Sequence, residues 1–176
     1  MTEQQSYQVL STGHDFELRR YPSHIVAEVE MVGSFDHAGN AAFRPLVSFI
    51  SGRNRGGEKV AMTAPVVQQP SKQTDTHLVS FVMPTGSTVE SLPIPLDASV
   101  NVHEVPEQIA AVSRFSGRWT EKSYDDHVAA LRTSVADAGL KAAGDPRYAR
   151  FDPPWKPWFL RRNEVVLPVV EVASSH

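Results

Sequence analysis

The chain has 176 residues, of which 41% are apolar and 21% are charged, as is ordinary for one globular domain. Its 17 Lys and Arg against 20 Asp and Glu give a formal charge of −3, so we expect no nucleic-acid partner. The absence of cysteine excludes disulfides, thiolate zinc sites and iron–sulfur clusters. The apolar runs are far shorter than the roughly 18 residues that span a membrane, and the N-terminus has no signal-peptide pattern, so we expect a cytoplasmic protein without a membrane partner. Since the sequence has no heptad pattern, we expect a monomer.

The first half of the chain predicts a strand followed by an amphipathic helix. Apolar and polar residues alternate over residues 22–31, which is typical of a half-buried strand. Ser34 or Asp36 can cap the next segment. Apolar residues there recur at helical spacing until Gly52: Ala38, Ala42, Phe43, Leu46, Val47 and Ile50. Pro45 costs a helical hydrogen bond outside the first turn, so we expect the helix to begin later than this cap or to kink.

Residues 60–69 and 76–84 are rich in β-branched residues and bounded by turns, so they are predicted as paired strands. After a Pro-punctuated connection, Ser91–Pro95, the second half repeats the first. PSHIVAEVEMVG, which starts at Pro22, matches PEQIAAVSRFSG, which starts at Pro106, with Pro, Ile, Ala and Gly recurring at one offset. The same pattern therefore predicts a second strand and helix.

The second helix carries one apolar face, ends near Gly139 and has Ser123 or Thr120 as its cap. Its face consists of Tyr124, Val128, Leu131, Val135 and Ala138. A short strand around residues 148–151, a Pro/Trp loop and a strand over residues 164–172 follow. Together these elements predict one α+β domain, residues 1–176, with β-α-β-β halves at about 7–90 and 96–172. We expect pseudo-twofold symmetry and one curved antiparallel sheet or distorted β-barrel flanked by two helices.

No motif for catalysis, phosphate binding or zinc binding stands out. The loop FDPPWKPWFLRRN, residues 151–163, either covers one end of the core or forms a wall of an apolar pocket. Arginine pairs occur at strand ends in both halves: Arg19 and Arg20, and Arg161 and Arg162. They form either a basic rim for a flat anionic ligand or a charged protection of strand edges. Arg53, Arg55 and Lys59 offer a further basic loop.

Four segments, in this order, resemble the SOUL haem-binding family: FELRRYP, FISGRN, EKVAMTAPV and DPPWKPWFLRRNEV. The resemblance extends from about Tyr7 to Val172. It implies non-covalent binding of haem or a related tetrapyrrole, metal-free porphyrin included, by a carrier or buffer rather than an enzyme. It places the ligand between the first helix and a loop of the second half. The implied ring contacts are Phe43, Val47, Met62, Trp155 and Trp158, and the implied propionate contacts are Lys59, Arg161 and Arg162.

Some animal members of this family have a histidine, proposed as the iron ligand, where this sequence has Arg20. Axial ligation through that position is therefore absent, and Met62 and Tyr21 are left as weak candidates for the metal. Two alternatives stay open. One is a small-molecule hydrolase or ligand-binding module of the gyrase-inhibitor-like fold, and in the hydrolase Glu28, Glu164 or Tyr21 would be the general base. The other is a protein-interaction or sensing module whose pocket is vestigial.

Overall fold

The computed structural model describes residues 2–171, so the predicted strand end at Val172 lies outside the described residues. Its strands are β1 (Glu3–Gln4), β2 (Gln8–Thr12), β3 (Glu17–Tyr21), β4 (His24–Val32), β5 (Thr63–Ala64), β6 (Val66–Pro70), β7 (Thr76–Val82), β8 (Asn101–Val105), β9 (Gln108–Phe115), β10 (Leu140–Ala142), β11 (Arg147–Arg150) and β12 (Asn163–Glu171). Its helices are α1 (Phe35–Ile50), α2 (Glu121–Asp137) and a short 3-10 helix (Trp158–Leu160). Within residues 2–171, no helix combines the length and apolar character that crossing a membrane requires.

The chain divides into two compact units, and unit 1 comprises Met1–Ser6 and Pro22–Pro106. Its main sheet has the antiparallel order β6-β7-β4-β8, and β1 and β5 form a separate parallel pair. α1 packs against β4 and β7, and most of the buried core comes from these three elements, with Met83 and Val100 added from the adjoining connections. The core includes Ile25, Ala27 and Val29 from β4, Ala42, Leu46 and Phe49 from α1, and Val79 and Phe81 from β7. The predicted strand and its buried face are confirmed.

The helix of unit 1 begins at the predicted cap. The Ser34 hydroxyl accepts a hydrogen bond from the His37 backbone N–H at 3.4 Å. α1 then continues through Pro45 to Ile50, so the expectation of a later start is wrong. An interior proline costs about 3 kcal/mol, whereas burial of a large apolar side chain contributes about 1.5–3 kcal/mol. Because Leu46 and Phe49 are almost fully buried, packing outweighs the lost hydrogen bond.

Unit 2 comprises Tyr7–Tyr21 and Glu107–His176. Its antiparallel strands lie in the order β2-β3-β9-β12-β11, and β10 pairs with the other end of β12. α2 buries Tyr124, Leu131 and Val135, while Ala138 lies beyond the end of the helix and is exposed. The Thr120 hydroxyl accepts a hydrogen bond from the Ser123 N–H at 3.1 Å, which decides the cap in favour of Thr120.

Each unit contains a β-α-β-β succession, β4-α1-β6-β7 in unit 1 and β9-α2-β11-β12 in unit 2, which confirms the predicted α+β repeat. In each unit, the strand that pairs with the other edge of β4 or β9 comes from the other half of the sequence. β8 pairs with β4 in unit 1, and β3 pairs with β9 in unit 2. β3 ends directly before Pro22 and β8 directly before Pro106. Because proline cannot donate to a ladder, these two positions end the exchanged strands.

Leu46→Ala should test the packing of α1. Leu46 is fully buried in the unit 1 core, so its truncation should lower the free energy of unfolding by about 2–5 kcal/mol. Val32→Ala is the matched control, because Val32 is 74% exposed and its loss should cost less than about 0.5 kcal/mol. Denaturant unfolding of both variants measures the difference. Equal losses would contradict the described packing.

Candidate ligand-binding site

One side of α1 carries apolar residues that the core of unit 1 does not fully bury. Phe43 is 45% exposed, and its ring packs edge-on against Phe81 with 5.5 Å between the ring centroids. Val47 follows one helical turn later and packs, partly buried, against the same core. The helix therefore presents more apolar surface than its own core requires, which is the character of a small-molecule contact surface.

The segment after α1 is fixed by one buried asparagine. Asn54 donates through Nδ2 to the carbonyl oxygens of Phe49 and Glu58, both at 2.8 Å, and its Oδ1 accepts from the Glu58 N–H at 3.0 Å. These bonds hold the start of the stretch that carries Lys59 and Met62. Lys59 is exposed and forms no hydrogen bond or ion pair with any residue between 2 and 171. Met62 is 37% exposed, so an amine and a thioether of unit 1 are both accessible.

The Pro/Trp loop of unit 2 is braced by polar contacts of its own. The Asp152 carboxylate accepts hydrogen bonds from Lys156 Nζ at 2.8 Å and from the Arg162 N–H at 2.5 Å. Burial alone would raise the pKa of Asp152, but these donors hold it below its usual value. Arg161 donates through Nε to the Lys156 carbonyl at 2.9 Å and through Nη2 to the Pro154 carbonyl at 2.6 Å. The loop is therefore held in shape by residues within it.

Large apolar side chains of the same loop point to solvent. Trp155 is 84% exposed and Trp158 is 48% exposed, and Phe159 and Leu160 beside them are also exposed. The Arg118 guanidinium lies 5.4 Å from the ring centroid of Trp158. Trp155 consequently does not cover the core, whereas both Trp rings offer the flat apolar surface that a pocket wall requires.

Arg161 and Arg162 take part in the internal network of unit 2. The Arg161 guanidinium lies 4.2 Å from the ring centroid of Trp119, whose Nε1 donates to Asn163 Oδ1 at 2.8 Å. Arg162 Nη2 donates to Glu164 Oε2 at 2.9 Å, and its guanidinium lies 4.1 Å from the ring centroid of Phe151. The assignment of both arginines to ligand propionates stays a prediction, and Lys59 is the less engaged cation of the predicted set.

Arg19 does not lie on a basic rim, because it is only 3% exposed. Its Nη1 and Nη2 donate to the two carboxylate oxygens of Glu164 at 2.8 and 3.0 Å, and its Nε donates to Glu17 at 2.8 Å. Burial alone would lower the pKa of Arg19, but hydrogen bonding to Glu164 raises it overall, so the guanidinium stays charged. A sequence signal for this pair existed, since Glu164 is a lone charge at the start of the apolar strand EVVLPVV.

The remaining predicted candidates lie in three different settings. Tyr21 is 3% exposed, its hydroxyl accepts from Arg19 at 3.1 Å, and burial raises its pKa, so it is open neither to iron nor to substrate. Arg20 lies at the surface, with its Nε 3.6 Å from Glu107. Glu28 is partly exposed and accepts from Ser80 Oγ at 2.8 Å. Its other oxygen lies 3.3 Å from Nε2 of His103.

Between residues 2 and 171, no group of three His, Asp or Glu side chains is placed to hold a metal ion.

The predicted residues thus divide between the units: Phe43, Val47, Lys59 and Met62 belong to unit 1, and Trp155, Trp158, Arg161 and Arg162 to unit 2. A family model described as SOUL heme-binding protein matches residues 2–168. The chain belongs to the SOUL heme-binding protein family. This confirms the resemblance of the four sequence segments, which now have a place on β3, α1, the stretch after α1 and the Pro/Trp loop.

The chain is also similar to one curated protein and to several solved structures. Heme-binding protein 1 of Xenopus tropicalis is 28% identical over 158 residues, which cover 87% of this chain and 83% of that protein. The C-terminal domain of EcmrR has a TM-score of 0.66 at 16% identity, covering 94% of this chain and 99% of that one. A hydrolase from Listeria innocua has a TM-score of 0.65 at 15% identity, covering 92% and 94%. The two solved structures show a shared fold.

Glu164→Gln should strongly destabilise the SOUL protein. It removes the buried carboxylate that pairs with Arg19 and Arg162 and leaves Arg19 only the partly exposed Glu17, and breaking such a buried pair typically costs about 3–5 kcal/mol. Denaturant unfolding at neutral pH measures this loss. Glu107→Gln, which removes an exposed partner of Arg20, should change stability by less than about 1 kcal/mol. The apolar double variant Arg19→Met/Glu164→Leu should regain only part of the loss, because Arg162 still loses the Glu164 carboxylate. If Glu164→Gln unfolds like wild type, the pair is not buried as described.

Proposed function

We propose that this chain binds haem or a related tetrapyrrole non-covalently, as a monomeric cytoplasmic carrier or buffer acting as one domain. Membership of the SOUL heme-binding family supports the ligand class. The observation that carries the proposal is the exposure of the predicted ring contacts. Phe43, Met62, Trp155 and Trp158 are between 37% and 84% exposed, although each is large and apolar. A flat apolar ligand would remove this surface from water, at about 25 cal/mol per Å².

In this proposal, cations of the predicted set meet the propionates of the ligand. Lys59 is exposed and unengaged, so its ammonium group can pair with a propionate, although solvent keeps such a gain below about 1 kcal/mol. Arg161 uses Nε and Nη2 for loop carbonyls, and a guanidinium has five N–H donors, so further donors remain for a carboxylate. In this proposal the apolar contacts supply most of the affinity, and the cations orient the ring.

Iron ligation is secondary in this proposal. Haem would supply an iron atom that accepts an axial ligand, but Arg20 occupies the position where some relatives have histidine, and Tyr21 is buried. Met62 is the exposed member of the weak candidates, and thioether sulfur is a known axial ligand of haem. The residues fit a ring held by packing, so metal-free protoporphyrin should bind with an affinity similar to that of hemin.

Titration of the purified protein with hemin and with protoporphyrin IX tests this proposal, followed by the Soret band and by Trp fluorescence quenching. We expect saturable one-to-one binding of both compounds. Phe43→Ala and Trp158→Ala should each weaken binding about tenfold, because each removes an exposed aromatic contact. Val32→Ala in unit 1 and Val170→Ala in unit 2 are controls, since both residues are exposed and lie outside the predicted set. No saturable response to either compound would refute the proposal.

Both variants should keep the fold. Trp158 is held mainly by its backbone, whose carbonyl accepts from the Gly117 N–H at 3.1 Å, so the free energy of unfolding of Trp158→Ala should fall by less than about 1 kcal/mol. A variant that is strongly destabilised yet binds hemin like wild type would show that the side chain supports the loop and not the ligand.

A small-molecule hydrolase is the second candidate, and the setting of Glu28 favours it. This carboxylate is 18% exposed and lies between the Ser80 hydroxyl and the His103 ring, so it could take a proton from water at an accessible position. Hydrolysis of p-nitrophenyl acetate by wild type and by Glu28→Gln tests it. Activity above buffer that Glu28→Gln lowers at least about tenfold would support this candidate, and equal rates for both proteins would remove it.

A further inference from the structure

A cavity of about 580 Å³ opens in unit 1 on a different part of α1 from the predicted tetrapyrrole contacts. Its apolar lining comes from Met31 at the end of β4, from Pro45 and Phe49 on α1, and from Leu96 in the connection before β8. Leu96 is 66% exposed, so the cavity has an apolar wall in contact with water. We call it the arginine cavity, because Arg44 and Arg53 also line it.

The far wall of the arginine cavity is tied to the rest of unit 1 by backbone hydrogen bonds. The Arg55 N–H donates to the Ile94 carbonyl at 2.8 Å, and an isolated antiparallel bridge joins Asn54 to Pro95. The Leu96 N–H donates to the Arg53 carbonyl at 3.4 Å. The buried Asn54 side chain fixes the same turn to the end of α1. Hydrogen bonds thus hold the backbone of both walls in place, so ordering this backbone would cost little of the binding free energy.

The charges on the cavity are unequal. Arg44 and Arg53 are exposed, and neither guanidinium has a hydrogen bond or carboxylate partner among residues 2–171. Asp97 is the acidic residue of the lining, and its Oδ1 already accepts from the Ser99 N–H at 2.8 Å and from Ser99 Oγ at 2.7 Å. With both arginines and Asp97 charged, the net charge of the lining is +1. The two guanidinium groups line the same cavity, and a guanidinium can donate two parallel hydrogen bonds to a planar carboxylate.

We propose that the arginine cavity binds an amphipathic monocarboxylate, a molecule with one carboxylate on an apolar chain or ring, at a site separate from that of the tetrapyrrole. Arg44 and Arg53 hold the carboxylate, while Phe49, Met31 and Leu96 contact the apolar body. The single negative charge of the ligand matches the net charge of the lining. None of Phe43, Val47, Lys59 and Met62 belongs to this lining, so the site does not depend on the proposed tetrapyrrole function.

Calorimetric titration with dodecanoate, kept below its micelle concentration, tests the inference. We expect one-to-one binding, and amide shifts in nuclear magnetic resonance spectra at Ser48, Leu96 and Ser99, which line the cavity. Arg44→Gln/Arg53→Gln should raise the Kd for dodecanoate at least about tenfold, because it removes both charged donors. Arg132→Gln, an exposed arginine of α2, is the matched control and should bind like wild type. Dodecyltrimethylammonium, with the opposite charge, should bind at least about tenfold more weakly than dodecanoate.

Four results would overturn the inference: no saturable dodecanoate binding, equal affinity for both amphiphiles, an unchanged Kd in the double variant, or amide shifts confined to other parts of the chain. Hemin titration of the same double variant separates the two proposals. Unchanged hemin affinity is expected for independent sites. If hemin displaces dodecanoate and loses affinity in parallel, the arginines serve the tetrapyrrole, and a separate site is refuted. If hemin alone fails to bind to wild type, the tetrapyrrole proposal falls while the carboxylate site stands.

Discussion

The buried ion pair between Arg19 and Glu164 determines how unit 2 is assembled. β3 and β12 are separated by β9, so the two side chains meet across the strand between them. On β9, Ala110 lies opposite Arg19 and Arg114 lies opposite Glu164, so the two charged side chains meet diagonally across this strand. A shift of β3 by one residue would turn Arg19 to the other face of the sheet and would leave Arg19 and Glu164 without each other as charge partners. The pair therefore selects one register for β3.

Most regular elements could be predicted, because apolar residues recur with the period of the element that buries them. The strand before α1 and both helices follow from local sequence, which limits each N-cap to two candidates, and the structure selects Ser34 and Thr120. The continuation of α1 through Pro45 could not be predicted, since it depends on how much apolar surface the helix buries. Strand partners could not be predicted either. Local sequence carries no signal for the neighbour of a short strand such as β8, and both β3 and β8 pair with strands of the opposite half.

The candidate site was predictable in composition and less so in geometry. The family resemblance supplied Phe43 through the implied position of the groove and Trp158 through a motif, and the structure leaves both half-exposed. The roles of the arginines depend on groups far away in sequence: Arg19 and Glu164 are 145 residues apart. Arg161 binds backbone carbonyls of its own loop, and no residue pattern announces such an acceptor. Neighbouring arginines can therefore have different roles: Arg19 is buried in the fold, whereas Arg20 lies at the surface. Only the three-dimensional structure distinguishes the two cases.

The exchange of β3 and β8 between the two halves of the sequence has a consequence for synthesis on the ribosome. When residues up to Ser91–Pro95 have emerged, the sheet of unit 1 still lacks β8, and the edge of β4 is an open row of backbone donors and acceptors. β3, made long before, must wait for β9 to find its partner. Unit 1 can complete its main sheet once β8 has emerged, because β4, β7 and β8 all lie within Pro22–Pro106. Unit 2 closes later, since β3 precedes unit 1 in the sequence and β9 follows it. A nick in the central connection would separate β4 from β8 and β3 from β9, so we expect each fragment alone to lack one strand of its sheet.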